Sequence, residues 1–305
     1  MRVFVTGGSG FIGSAVVPEL LAAGHAVSGL ARSDASAGVL DAAGVEAIRG
    51  DLEDLDVLAR AAAGADAIVH CAFVHDDFSA LDRAGRIDLA AVETFGDALA
   101  GSGRALVITS GTGLLASGRL ATEDDRGDPA SHGSHRLTSE VRAIELAERG
   151  VRSAVVRLPP TVHGEGDHGF VPALIDIARR TGVSGFPGDG ANRWPAVHRR
   201  DAARLFRLAA EGAPAGAVLH GVAEEGITTR TIAEAIGRGL GVPVRGIPDA
   251  DAADHFGWLA GFFSADVPAS SVRTRALLPW VPTGPGLLDD LDAGHYFPDA
   301  HPAAA

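Results

Sequence analysis

The stretch that most limits this chain is its first thirteen residues, Met-Arg-Val-Phe-Val-Thr-Gly-Gly-Ser-Gly-Phe-Ile-Gly. Arg2 to Val5 reads as a short buried strand, and Gly7, Gly10 and Gly13 follow at three-residue spacing. A helical pattern comes next, with Phe11, Ile12, Val16, Leu20 and Leu21 on its apolar side. Strand, glycine turn and helix N-terminus in that order build an anion site. Backbone N–H groups point outward, the helix dipole adds partial positive charge, and glycine admits a pyrophosphate close to the chain. The first glycine permits the tight turn, the second backbone contact, and the third close helix–strand packing. Three glycines alone also fit a plain turn. The alternating strand–helix pattern that follows them points instead to dinucleotide binding.

That pattern runs through the first half. Strands read at 26–30, 45–49, 67–72, 104–110 and 151–158, with helices near 54–63, 79–100 and 134–149. Ile87, Ala91, Phe95 and Leu99 recur at four-residue spacing in the longest helix. After Pro159-Pro160 the rhythm breaks into short helices and turns at 170–181, 201–210, 229–240 and 250–259. The expectation is a doubly wound parallel α/β sheet over 1–160. A smaller region over 161–305 would bind substrate and send some segments back to the sheet.

Composition excludes several classes. The formal net charge of -13 argues against a nucleic-acid partner, because phosphate binding needs a basic face. No apolar run approaches the ~20 residues that span a bilayer. The first strand begins at Arg2, which leaves no room for a signal peptide. Cys71 is the only cysteine, so no intrachain disulfide forms. These features suit a cytoplasmic enzyme acting on a small molecule. All 26 basic residues other than histidine are arginine; the chain has no lysine.

The second strand ends at Leu30-Ala31-Arg32-Ser33, without the acidic residue that commonly bonds the ribose hydroxyls of NAD. An arginine there suits the 2′-phosphate of NADP, so NADPH is expected over NADH. Such charge-assisted bonds are worth about 1.5–3 kcal/mol. A solvated surface arginine is the plainer reading of Arg32. Asp51 can accept from the adenine amino group or simply cap the next helix. Ala72 and Phe73 close the fourth strand, at the strand ends where ligands of such sheets bind.

Together these pieces resemble the extended branch of the short-chain dehydrogenase/reductase superfamily, in its epimerase/dehydratase-like form. The matching residues are Thr6-Gly7-Gly8-Ser9-Gly10-Phe11-Ile12-Gly13, Gly50-Asp51-Leu52, Cys71-Ala72-Phe73 and Thr109-Ser110-Gly111. Val156-Arg157-Leu158-Pro159, His163-Gly164, Gly188-Asp189-Gly190 and Val197-His198 with Asp201 match further on. The resemblance implies an NAD(P)-binding Rossmann domain with an interleaved substrate domain, and a homodimer through the helices at 79–100 and 134–149. It places Gly7, Gly10, Phe11, Ile12 and Gly13 on the pyrophosphate, Arg32 and Ser33 on the 2′-phosphate, and Asp51 and Leu52 around adenine. Ala72, Phe73, Pro159, Thr161 and Val162 would flank the nicotinamide.

The family's Tyr-x-x-x-Lys pair is missing. An alignment anchored on Glu140 puts Ser134 and Thr138 at its two positions. The only tyrosine is Tyr296, and there is no lysine to recover. Positioned acid–base help is worth roughly 10²–10⁴ in rate. Three accounts follow. Another residue donates the proton: Ser110 matches the carbonyl-binding serine, and His163 stands near the expected nicotinamide, with His135 beside the lost Tyr. Alternatively, the substrate is an iminium that needs no donor, with carboxylates such as Asp76 or Asp77 favouring the cation. In the third account, the protein binds NADP(H) without chemistry, as a regulator.

Further candidates around the substrate are His75, Asp76, Thr112, His135 and Trp194. For each histidine an ordinary structural hydrogen bond is the simpler role, and for Trp194 a place in the core. The run His163-x-Glu165-x-Asp167-His168 has no common zinc spacing, so no metal is expected. No Gly-x-Ser-x-Gly elbow accompanies Ser110, which sets a hydrolase aside.

Overall fold

The computed structural model describes residues 1–74, 81–131 and 133–298. The first strand, β1 (Arg2–Thr6), shows why the sheet is buried on both faces. Val3, Phe4 and Val5 are all at most 1% exposed. Successive side chains in a strand point to opposite faces. Val3 and Val5 enter the core that also holds Val16, Val17 and Leu20, whereas Phe4 enters the one that holds Leu58 and Phe95.

The glycine turn leads into α1 (Gly13–Ala22), then β2 (Ala26–Ala31), α2 (Asp34–Ala42), β3 (Glu46–Arg49), α3 (Leu55–Gly64) and β4 (Ala67–His70). The long helix α4 (Leu81–Leu99), β5 (Ala105–Gly111), α5 (Leu137–Glu145) and β6 (Arg152–Leu158) follow. Beyond them come β7 (Thr161–His163), α6 (Phe170–Thr181), β8 (Ser184–Pro187), β9 (Arg193–His198), α7 (Arg199–Gly212) and β10 (Ala217–His220). The chain continues through β11 (Glu224–Thr228), α8 (Thr229–Leu240), β12 (Val244–Ile247), α9 (Ala252–Phe256), α10 (Ala260–Phe263), α11 (Val272–Leu277) and α12 (Leu287–Asp292).

Seven parallel strands form the main sheet in the order β10-β6-β5-β4-β1-β2-β3. Winding runs outward from β1 to β3 and then resumes at β4 on the other side of β1. The reversal falls between β1 and β4, and ligands of such sheets bind beyond the carboxyl ends of strands at that switch point. Alanines of α7 cover one face beside α1, and α3, α4 and α5 cover the other. The fold is therefore a doubly wound Rossmann-like α/β sheet.

The later residues hold more strand than short helices and turns would require. Strands β11, β9 and β7 make a second sheet, and β12 pairs with β8 in a third. Most are three to five residues long, too short for a periodic signal. They enclose a separate core with Trp194, Ile236, Phe256, Phe263 and Phe297. The segment 250–259 is likewise not one helix: it holds α9 between 3₁₀ turns at Asp249–Asp251 and Gly257–Leu259, and α10 follows it. The helix read at 134–149 begins and ends in 3₁₀ turns, Ser134–Arg136 and Leu146–Arg149, around α5.

Candidate functional site

The glycine turn is set by close contact. Gly7 adopts φ +70°, and a Cβ there would stand 2.7 Å from the Ala72 nitrogen. A Cβ on Gly13 would stand 2.0 Å from the Gly7 carbonyl oxygen. Both positions exclude any side chain. Gly10 differs: it is exposed, and its N–H donates 3.0 Å to Gly7 O. Behind it α1 starts with no side-chain cap on its N-terminus and no acidic residue in its first turn. Uncapped N–H groups, the positive dipole end and a bare backbone fit a diphosphate.

The turn is braced from below and from the second region. Thr6 Oγ1 lies 2.6 Å from His70 Nδ1 and accepts from the Ala72 N–H at 3.3 Å. His70 Nε2 in turn stands 3.1 Å from the buried Asp88 carboxylate. Burial alone would raise the Asp88 pKa. The His70 bond, with the charges of His70 and Arg136, outweighs it and holds the carboxyl below its usual range. Arg199, the first residue of α7, donates to Ser14 Oγ at 2.9 Å and to Glu165 O at 2.6 Å. Its guanidinium carbon lies 4.8 Å from the centre of the Phe11 ring, which also meets the His168 ring at 5.8 Å.

Past β2, Arg32 is exposed and Ser33 caps α2 in a reciprocal box with Ser36. A second guanidinium joins them. Arg49, paired with Ala31 across the β2–β3 ladder, donates 2.6 Å to Ser33 O and bonds the Asp34 carboxylate. Asp51 accepts from the Glu53 N–H at 2.8 Å, and Leu52 is buried in the core with Leu58.

At the ends of β5 and β6 lies a buried polar chain. Ser110 Oγ donates 2.7 Å to Glu140, whose carboxylate pairs with Arg157 at 2.5 Å. Arg157 also donates 2.9 Å to Asp125 O and stands 3.3 Å from His220 Nε2. Burial drives the His220 pKa down to about 4, with the Arg157 charge adding to it. The nearby Cys71 thiol is pushed up to about 12 by burial, so it stays protonated at neutral pH. Thr112 is buried, and its hydroxyl has no partner among the described residues. Phe73 meets the His135 ring at 5.5 Å with the planes tilted by 44°, and lies under the guanidinium of Arg136 at 3.8 Å. Thr161 donates to Pro195 O.

Two other sequence candidates sit differently. His163 is fully buried, its Nδ1 2.8 Å from Asp290 of α12, and its ring packs on His198 at 5.4 Å. Trp194 is 1% exposed, in contact with Phe170 and Phe263 inside the second core. Its surroundings are those of a core aromatic. His75 and Asp76 lie outside the described residues. Among the described residues no group of three His, Cys, Asp or Glu side chains could hold a metal ion, and no helix is long and apolar enough to cross a membrane.

Sequence reading passed over three residues here: Arg49, Arg136 and Arg199. Each was one arginine among many, and only the fold brings them to the strand ends. Without lysine in the chain, every such cation had to be an arginine.

The profile of the NAD dependent epimerase/dehydratase family matches residues 3–219. The chain belongs to that family. Its relatives include an uncharacterized protein of Schizosaccharomyces pombe, 48% identical over 97% of this chain and 100% of that one. Another is the 4-hydroxy-2-methyl-3-oxo-4-farnesyl-3,4-dihydroquinoline-1-oxide ketoreductase of Stigmatella aurantiaca, 30% identical over 72% of this chain and 67% of that one. Among solved structures, the dTDP-glucose 4,6-dehydratase DesIV of Streptomyces venezuelae with NAD bound superposes at TM-score 0.78 with 23% identity, covering 97% of this chain and 96% of that one. Membership makes this an NAD(P)-dependent oxidoreductase of the short-chain dehydrogenase/reductase type.

Proposed function

We propose that this family member is an NADPH-dependent reductase acting on an imine, iminium or carbonyl group of a small apolar substrate. Bound NADPH would supply hydride. The observation that carries the reading is the pairing of an intact glycine cradle with a strand-end hydroxyl whose proton is already committed. Ser110 donates its proton to Glu140, whose carboxylate also accepts from Arg157. A carboxylate bonded in this way accepts from both partners. Ser110 therefore has lone pairs to offer, which suit the N–H of an iminium better than a carbonyl oxygen.

The chain's residues divide the work along the switch point. Gly7, Gly10, Gly13 and the start of α1 would hold the diphosphate. Arg32 and Ser33, joined by Arg49, would take the 2′-phosphate, and Asp51 the adenine. Ala72, Phe73, Pro159 and Val162 would flank the nicotinamide, with Ser110 and Thr112 toward the substrate. His163 is left out of the proton path, because it is buried and bound to Asp290. The residues after 160 would form the substrate side, and a homodimer through α4 and α5 fits the same reading.

A second reading, an NADP(H)-binding regulator without chemistry, draws on the same committed proton and on the lost Tyr-x-x-x-Lys pair. One experiment separates them: NADPH oxidation followed against cyclic imines, activated ketones and aldehydes between pH 5 and 9. Turnover of imines or carbonyls supports the reductase. Tight NADPH binding with no turnover of any class supports the regulator.

A further inference from the structure

One half-buried cation at the strand ends is held in place with most of its donors unspent among the described residues. Arg136 ends the 3₁₀ turn that precedes α5. Its guanidinium carbon stands 3.8 Å from the centre of the Phe73 ring, and Nη1 donates 2.8 Å to the carbonyl oxygen of Thr109. Phe73 lies just beyond β4, and Thr109 lies near the end of β5. The ring fixes the plane of the guanidinium and the carbonyl fixes one edge. A guanidinium carries five N–H donors. Among the described residues, Thr109 O is the one hydrogen-bond acceptor it meets. Burial lowers the Arg136 pKa and the Asp88 charge opposes that, so the charge is kept at a desolvation cost.

Sheet order decides what lies over this spot. The glycine turn after β1 takes the diphosphate, and β2 and β3 lead to Arg32, Ser33 and Arg49, at the adenosine end. The second mononucleotide half then crosses β4 and β5. We propose that Arg136 holds the nicotinamide-ribose end of the cofactor, donating from its remaining N–H groups to the ribose hydroxyls. This rests on the NADPH reading above. It makes Arg136 a cofactor-binding residue, supplied from the turn before α5.

The test uses the whole protein and two ligands. NADPH spans both halves of the site, whereas 2′-phospho-AMP reaches only the adenosine half. Binding of each is titrated for the wild type, Arg136→Met and Arg136→Lys. The expected result is that all three bind 2′-phospho-AMP alike. Arg136→Met should weaken NADPH roughly tenfold or more, the loss of a charged hydrogen bond. Arg136→Lys should recover most of that loss. If Arg136→Met bound NADPH as tightly as the wild type, the assignment would be overturned. Equal weakening of both ligands would also overturn it, since that marks a damaged fold. A wild type that bound neither would remove the cofactor reading itself and this inference with it.

Discussion

Arg199 of α7 donates across 2.9 Å to the hydroxyl of Ser14 in α1, so two helices 185 residues apart in sequence are joined beside the glycine turn. The same guanidinium covers Phe11 and holds the Glu165 carbonyl. A positive charge in that place suits a diphosphate resting on the start of α1. Arg199→Ala is expected to weaken NADPH binding roughly tenfold, with a smaller loss for Arg199→Lys. Titration of NADPH fluorescence at two salt concentrations measures it. An unchanged dissociation constant would place Arg199 outside the cofactor site.

The glycines of the first half should differ sharply under substitution. Gly13→Ala puts a methyl group 2.0 Å from Gly7 O, so backbone must move. It should lower the melting temperature and abolish cofactor binding, at a cost of about 1–3 kcal/mol or more. Gly38→Ala, inside α2 with nothing within 4 Å, should instead stabilise by about 0.4–1 kcal/mol. Thermal melts of both variants make the comparison.

Selectivity between the two nicotinamide cofactors should reside in three side chains. Arg32→Ala should raise the NADPH dissociation constant roughly tenfold to a hundredfold and leave NADH nearly unchanged. Equal losses for both would refute the phosphate role. Asp34 pairs with Arg49 at the surface. Asp34→Asn should release that guanidinium and tighten NADPH by about twofold to fivefold, the scale of an exposed ion pair.

Glu140 is 1% exposed and is the shared acceptor of Ser110 and Arg157. Removing one member of a buried pair strands the other charge. Glu140→Ala should cost about 3–5 kcal/mol of stability, read as a shift of the denaturant midpoint without a change in slope. A loss below 1 kcal/mol would mean that Arg157 finds another acceptor.

His220 makes stability depend on mild acid. Its folded pKa of about 4 lies below the ordinary 6.5, because burial and the Arg157 charge oppose protonation. Between those values the unfolded chain binds a proton and the folded one does not. Stability should therefore fall as pH drops from about 6.5 to about 4, by up to about 3 kcal/mol, and show no further loss from this group below that. Denaturant titrations of wild type and His220→Gln across pH 4–7 should show a flatter profile for the variant.

The parts of the fold that could be read from sequence were those with local cause. The glycine turn follows from backbone sterics at Gly7 and Gly13. The buried first strand and the stripe of Ile87, Ala91, Phe95 and Leu99 follow from periodicity. Strands such as β7 and β12 carry no such signal, since their pairing is decided by residues far along the chain. The site divides in the same way. Its cradle is contiguous in sequence, but the Arg199–Ser14 bond spans 185 residues and the Arg157–His220 contact 63. The resemblance puts His163 near the nicotinamide, and the fold adds a bond from its Nδ1 to Asp290, 127 residues later.

The hydroxyl of Tyr296 accepts the Gly164 N–H at 3.1 Å and donates 3.0 Å to Asp167. Those two residues bracket Glu165, whose carbonyl steadies Arg199. The chain's one phenol is thus a rivet behind the glycine turn proposed to seat the diphosphate. Clipping the polypeptide just ahead of it would slacken a loop on which the opening residues depend, so an edit far from the nucleotide would be felt as poorer grip.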